Sequence, residues 1–111
     1  MPNSAHRQSQ LLASEAHAQM RQANVSKARE LFRLASEKES VALAAIPLDK
    51  TRTRGILAVS LVSMLFKAAQ YYEVTQLAQE LVLDETLPPF ALAQIRDLEA
   101  SSWSELESES R

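Results

Sequence analysis

The stretch Arg54-Gly-Ile-Leu-Ala-Val-Ser-Leu-Val-Ser-Met-Leu-Phe-Lys-Ala-Ala-Gln-Tyr-Tyr72 decides the fold. From Ile56 to Phe66 every residue is apolar except Ser60 and Ser63. A helix apolar nearly all round is one surrounded by protein rather than one lying on a surface. The apolar run covers eleven positions before Lys67 interrupts it, whereas a membrane span needs about 20. The spacing therefore predicts a buried central helix over about 54–70, in a water-soluble chain and not in a bilayer.

The flanking segments are amphipathic and can cover it. Upstream, a helix from near Ser4 to Ala23 carries Leu12, Ala16, Met20 and Ala23 at helical spacing, extended by Ala5, Ser9 and Ala13. Asn24-Val-Ser26 reads as a break with a capping residue. A second helix from about Lys27 shows Ala28, Leu31, Phe32 and Ala35 on one face, and Pro47 ends it. Lys38-Glu-Ser40 interrupts its stripe, so that it either bends or continues with a shifted face. Thr51 or Thr53 is expected to cap the third helix. Downstream, Gln70-Tyr-Tyr72 marks a turn. A short fourth helix carries Val74, Leu77, Ala78, Leu81 and Val82. Pro88 or Pro89 suits the first turn of a fifth helix, where the missing N–H costs nothing. Leu92, Ile95, Leu98 and Trp103 are expected on its buried face. The prediction is an all-α domain over 1–103 with about five antiparallel helices, paired one–two and three–four with the fifth as a lid. An acidic Ser/Glu tail over 104–111 is expected to fray.

Composition agrees with that class. The 111 residues are 46% hydrophobic and 23% charged, with a single Gly and four Pro. A sheet protein spends many more Gly and turn residues on its connections. No Cys is present, which removes disulfides, thiol catalysis and cysteine metal sites. The polar start, Met-Pro-Asn-Ser-Ala-His-Arg, has no apolar signal-peptide core, and a cytoplasmic location is expected. The net charge of −2 conceals a basic first half and an acidic second half, which either neutralise each other inside one fold or attract a charged partner.

Between Leu12 and Ala35 the chain resembles a tetratricopeptide repeat. Ala28, Phe32 and Ala35 match its second-helix pattern A-x3-F-x2-A, with Ala16 at the small position of the first helix and Leu12 at the preceding large one. Glu15 and Gln19 depart from the pattern, and the insertion from about Ser40 to Thr53 stretches the period beyond about 34. The resemblance implies helical hairpins that dock a peptide, a helix or a second copy of the chain. The segment Arg52 to Ser60 is also similar to one found in small uncharacterised bacterial helical proteins.

Candidate chemistry is sparse. His6 and His17, eleven residues apart, are separated by roughly 16 Å of helix rise and cannot share a metal. Neither has a paired acidic residue in the sequence, and both are expected on the surface. No nucleophile elbow, glycine-rich phosphate loop or H-E-x-x-H motif occurs, so no catalytic role, cofactor or metal is assigned. Arg29 and Arg33 offer an anion or nucleic-acid face. The interspersed Glu30 and Glu37 and the lack of interleaved aromatics disfavour it. Arg52 and Arg54 precede a helix N-terminus, an unfavourable place for cations; they serve either an internal ion pair or recognition of a partner's carboxylate. Ser60, Ser63, Lys67 and Gln70 form the only polar line of the central helix, and mark either a sliver of solvent contact or the wall of a groove. The expected function is a protein–protein interaction module with these six residues as the binding set. Nucleic-acid or anion binding by Arg29/Arg33 is the first alternative, and a small-molecule pocket or an unrecognised enzyme the second.

Overall fold

The computed structural model describes residues 3–110; Met1, Pro2 and Arg111 lie outside it. Five helices follow one another: α1 (Ser4–Arg21), α2 (Val25–Ala44), α3 (Thr51–Lys67), α4 (Tyr71–Leu81) and α5 (Pro89–Glu109), with no strand among the described residues. Neighbours in sequence pack side by side, and α5 also lies against α3. It is thus a full partner of α3 and α4 rather than a lid. The molecule is a slab 41 × 31 × 17 Å.

The central helix occupies the position its composition demands. Leu57, Ala58, Leu61 and Val62 are buried among Leu43 of α2, Val74, Ala78 and Leu81 of α4, and Ile95 of α5. It begins at Thr51 with Lys50 as N-cap and no side-chain cap, so neither threonine serves the capping role expected of it. It ends at Lys67, short of Gln70, because Ala69 adopts φ 60° and reverses the chain. Tyr71 and Tyr72 then form the first turn of α4 rather than a loop.

The α1–α2 and α3–α4 hairpins close in the same way. At each, an alanine sits in the left-handed region, Ala23 with φ 62° and Ala69 with φ 60°. The Asn24 N–H donates to the Gln19 carbonyl at 2.9 Å and the Gln70 N–H to the Leu65 carbonyl at 2.9 Å, six residues being spanned each time. This is the Schellman ending, which glycine normally serves. Residues at matching positions, Ala16 with Val62 and Ala28 with Val74, are all fully buried. Because Cβ crowding penalises alanine at positive φ, Ala69→Gly is expected to stabilise the fold by roughly 0.5–1 kcal/mol. A lower thermal midpoint for that variant, read by circular dichroism, would refute this account of the turn.

Helix α2 is continuous through Lys38-Glu-Ser40. Its buried stripe is Ala28, Phe32, Ala35, Glu39 and Ala42, spaced 4-3-4-3, with Ser36 and Leu43 beside it. Glu39 is therefore part of the stripe rather than its interruption, while Val41 and Ala45 face water. On α5 the buried positions are Ala91, Ile95 and Ser102, with Leu92 and Leu98 half-buried. Trp103 follows Ser102 by about 100° of rotation and points to solvent, 45% exposed. The expected frayed tail is instead the last two turns of α5. Leu106 is half-buried there, and Glu109 lines a cleft with Arg29 and Arg33, so the acidic end of the chain meets its basic half.

Candidate functional site

Arg54 is a buried charged side chain that joins three segments of the chain. Its Nη1 donates to the carbonyls of Leu43 (3.3 Å) and Ile46 (3.0 Å), and its Nε donates to Thr86 Oγ1 at 2.9 Å. Nη2 stands 3.5 Å from Asp84 Oδ2. The guanidinium thereby satisfies carbonyls at the C-terminal end of α2 and joins them to the α4–α5 connection. Cations are favoured at that end of a helix, which resolves why one tolerates the neighbouring start of α3. Thr86 holds Asp84 in turn, donating its N–H and hydroxyl to Oδ1 at 2.8 and 2.6 Å. These bonds, against the opposing effect of burial and with help from Arg54, keep the Asp84 carboxyl below the usual aspartate range. Arg52, two residues earlier, is exposed.

The remaining residues of the expected binding set do not converge. Ser60 and Ser63 are half-buried on α3, and Lys67 is exposed at its end. Gln70 is the N-cap of α4 and lies in the cleft with Ser26, Arg29, Arg33 and Glu109. In that cleft Arg33 is already held by Glu30 (2.6 Å) and Glu37 (2.7 Å). The two carboxylates push its proton affinity up, and its hydrogen bonds lower that of Glu30.

A polar cluster invisible in the sequence ties α1 to α2. Glu39 is fully buried, and its Oε1 accepts from Ser9 Oγ at 3.0 Å and lies 2.8 Å from His6 Nδ1. Thus His6 does have an acidic partner, contrary to expectation. Asn3 adds to this latch: its Oδ1 accepts from the His6 N–H, and its Nδ2 donates to the Ala42 carbonyl at 2.9 Å. The residue types Ser, His and Glu suggest a hydrolytic triad, but the geometry does not make one. Both donors converge on a single carboxylate oxygen, Ser9 is fully buried, and its hydroxyl bonds to Glu39 rather than to His6; a nucleophile must face its base and its substrate. The 4-3 spacing of Glu39 with Phe32, Ala35 and Ala42 was the sequence signal that could have placed it inside. Among the described residues no group of three His, Asp or Glu is placed to hold a metal ion, and no helix is long and apolar enough to cross a membrane.

The open apolar surface lies on the opposite flank of α3 from the polar line. Between α2 and α4 runs a groove of about 430 Å³. Leu61 and Leu65 of α3 form its floor, Tyr72 and Leu77 one wall, and Ser36 and Ser40 the other. Glu37, already paired with Arg33, and Glu73 and Glu80 stand along it, and among the described residues no Lys or Arg lines it. Tyr72 is 58% exposed. No family model, curated protein or solved structure matches the chain.

Proposed function

We propose that the chain is a protein–protein interaction domain whose α2–α4 groove docks a basic amphipathic segment of a partner protein. One observation carries this reading: an uncovered apolar floor rimmed by Glu73 and Glu80, with no lining cation among the described residues. A helix laid in such a groove buries its apolar anchors at i, i+3/i+4 and i+7 while lysines or arginines on its flanks meet Glu73 and Glu80. Acidic rims recruit such partners by steering as well as by contact. Tyr72 is suited to act as the anchor, since aromatic side chains dominate binding energy where they become desolvated, with Leu77 packing beside it. The paired hairpins with matching Schellman turns support a helical-repeat ancestry of the tetratricopeptide kind, in which stacked hairpins present grooves. In this reading the groove, rather than Arg52, Arg54, Ser60, Ser63, Lys67 and Gln70, is the binding surface. Nucleic-acid binding by Arg29 and Arg33 is disfavoured, since Arg33 is already neutralised on both sides.

The test is fluorescence anisotropy with a 15-residue helical peptide bearing leucines on one face and lysines on the flanks, at low salt. Saturable binding is expected, weakened about tenfold or more by the pair Glu73→Lys and Glu80→Lys, because charge reversal converts attraction to repulsion. An acidic version of the peptide binding equally well, or reversal without effect, would overturn the reading. Sedimentation that shows dimers lost on Glu73→Lys and Glu80→Lys would assign the groove to a second copy instead.

A further inference from the structure

A smaller opening lies away from the groove and shares no residue with it. His17 and Met20 of α1, Phe32 of α2 and Lys67 of α3 line a slot of about 230 Å³. Phe32, 2% exposed, is its base. The His17 ring meets Phe32 edge-on, with centroids 5.0 Å apart and planes at 83°, and Lys67 Nζ lies 5.7 Å from the same ring centroid. Arg21 follows His17 by one turn of α1. Two basic side chains from two helices, His17 and Lys67, therefore meet one aromatic ring, with Arg21 close enough for its charge to act on His17. Among the described residues none of the three forms an ion pair; the pairs present involve His6, Arg33 and Arg54. The ring face gives Lys67 a soft contact but does not neutralise it. The uncompensated charge is felt: burial first, then Lys67 and Arg21, hold the His17 imidazole below its ordinary value.

We infer that this slot binds a small monocarboxylic acid with a compact aromatic or branched aliphatic body. The carboxylate sits between His17 and Lys67, and the body lies on Phe32 and Met20. An anion there compensates the unpaired charge of Lys67 and can accept a hydrogen bond from the His17 ring, and its apolar part meets an aromatic base and an unbranched thioether that adapts its shape. The volume falls below the roughly 300–1,000 Å³ of drug-sized sites, so the ligand is fragment-sized. Lys67, expected from the sequence to serve a groove along the polar line of α3, acquires this role instead.

The experiment is a heteronuclear NMR titration of the whole chain with benzoate, with benzamide as the uncharged match and inorganic phosphate as the anion without a body. Benzoate is expected to shift the His17, Met20, Phe32 and Lys67 amides saturably, with benzamide and phosphate each about fivefold weaker or more. Lys67→Met, which keeps the stem and removes the charge, is expected to weaken benzoate by about fivefold or more with an unchanged circular dichroism spectrum. By reciprocity, bound benzoate raises the titration midpoint of the His17 ring. Three results would each overturn the assignment: no saturable benzoate shift, benzamide or phosphate binding as well as benzoate, or undiminished binding by Lys67→Met. None of these outcomes bears on the groove, whose test uses different residues and a different probe.

Discussion

Replacing Arg54 by alanine is expected to lower the unfolding free energy by about 3 kcal/mol, since removing one member of a buried charged network strands its partners. For a domain of this size that is a fall of roughly 10–15 °C in thermal midpoint. The Ile46 carbonyl loses the Arg54 donor, the Leu43 carbonyl is left with the Ile46 N–H, Thr86 Oγ1 loses a donor as well, and Asp84 loses its nearest cation. The contribution lies in the fork of donors more than in the charge. Nη2 to Asp84 is 3.5 Å, longer than any of the three hydrogen bonds. Arg54→Lys should therefore recover little, because an ammonium cannot reach two carbonyls and a hydroxyl in one plane. Chemical denaturation of the two variants beside the parent checks this. A lysine variant as stable as the parent would show that charge alone holds the junction.

The second large effect comes from the neighbouring residue. A Cβ built on Gly55 meets Cδ and Cγ of Pro88 at 2.8 Å and Cζ of Phe90 at 3.1 Å. The proline ring cannot rotate away, so α5 must retreat from α3. Gly55→Val is expected to cost about 3 kcal/mol, at the upper end of overpacking. Gly55→Ala should cost less, as alanine regains roughly 1 kcal/mol of helix propensity. The diagnostic is a double-mutant cycle. Pro88→Ala removes the two ring atoms nearest to the new Cβ, and combining it with Gly55→Ala should restore part of the loss. Additive effects would mean that the ring is not what excludes a side chain.

Periodicity made much of this architecture legible. Apolar residues nearly all round Ile56–Phe66 marked α3 as the central helix, and Pro89 does open α5. What stayed hidden depends on distant pairings. Arg54 finds Thr86 and Asp84 at 32 and 30 positions away, and no local rule connects them. Glu39 read as a break because acidic residues are rarely buried, whereas Ser9 and His6 on the facing helix give it partners. The groove was sought along Ser60 and Ser63, the polar line that marks where α3 approaches water. It opened beside Leu61 and Leu65 because the gap between α2 and α4 leaves part of an apolar surface uncovered. Trp103 does follow Leu92 by about three turns, but Leu92 lies at the edge of the buried stripe of α5, whose centre runs through Ala91, Ile95 and Ser102.

The order in which the helices pack has a bearing on how quickly the chain reaches its native state. Each helix lies against its successor, and the one substantial pairing between non-consecutive helices joins α3 to α5. Most contacts close only short segments of chain, so little loop entropy is spent before packing begins to compensate. Chains of that kind fold in microseconds to milliseconds. The two hairpins, each turned by its own left-handed alanine, are the local units from which such rapid assembly would start, and the docking of α5 under Gly55 would complete it.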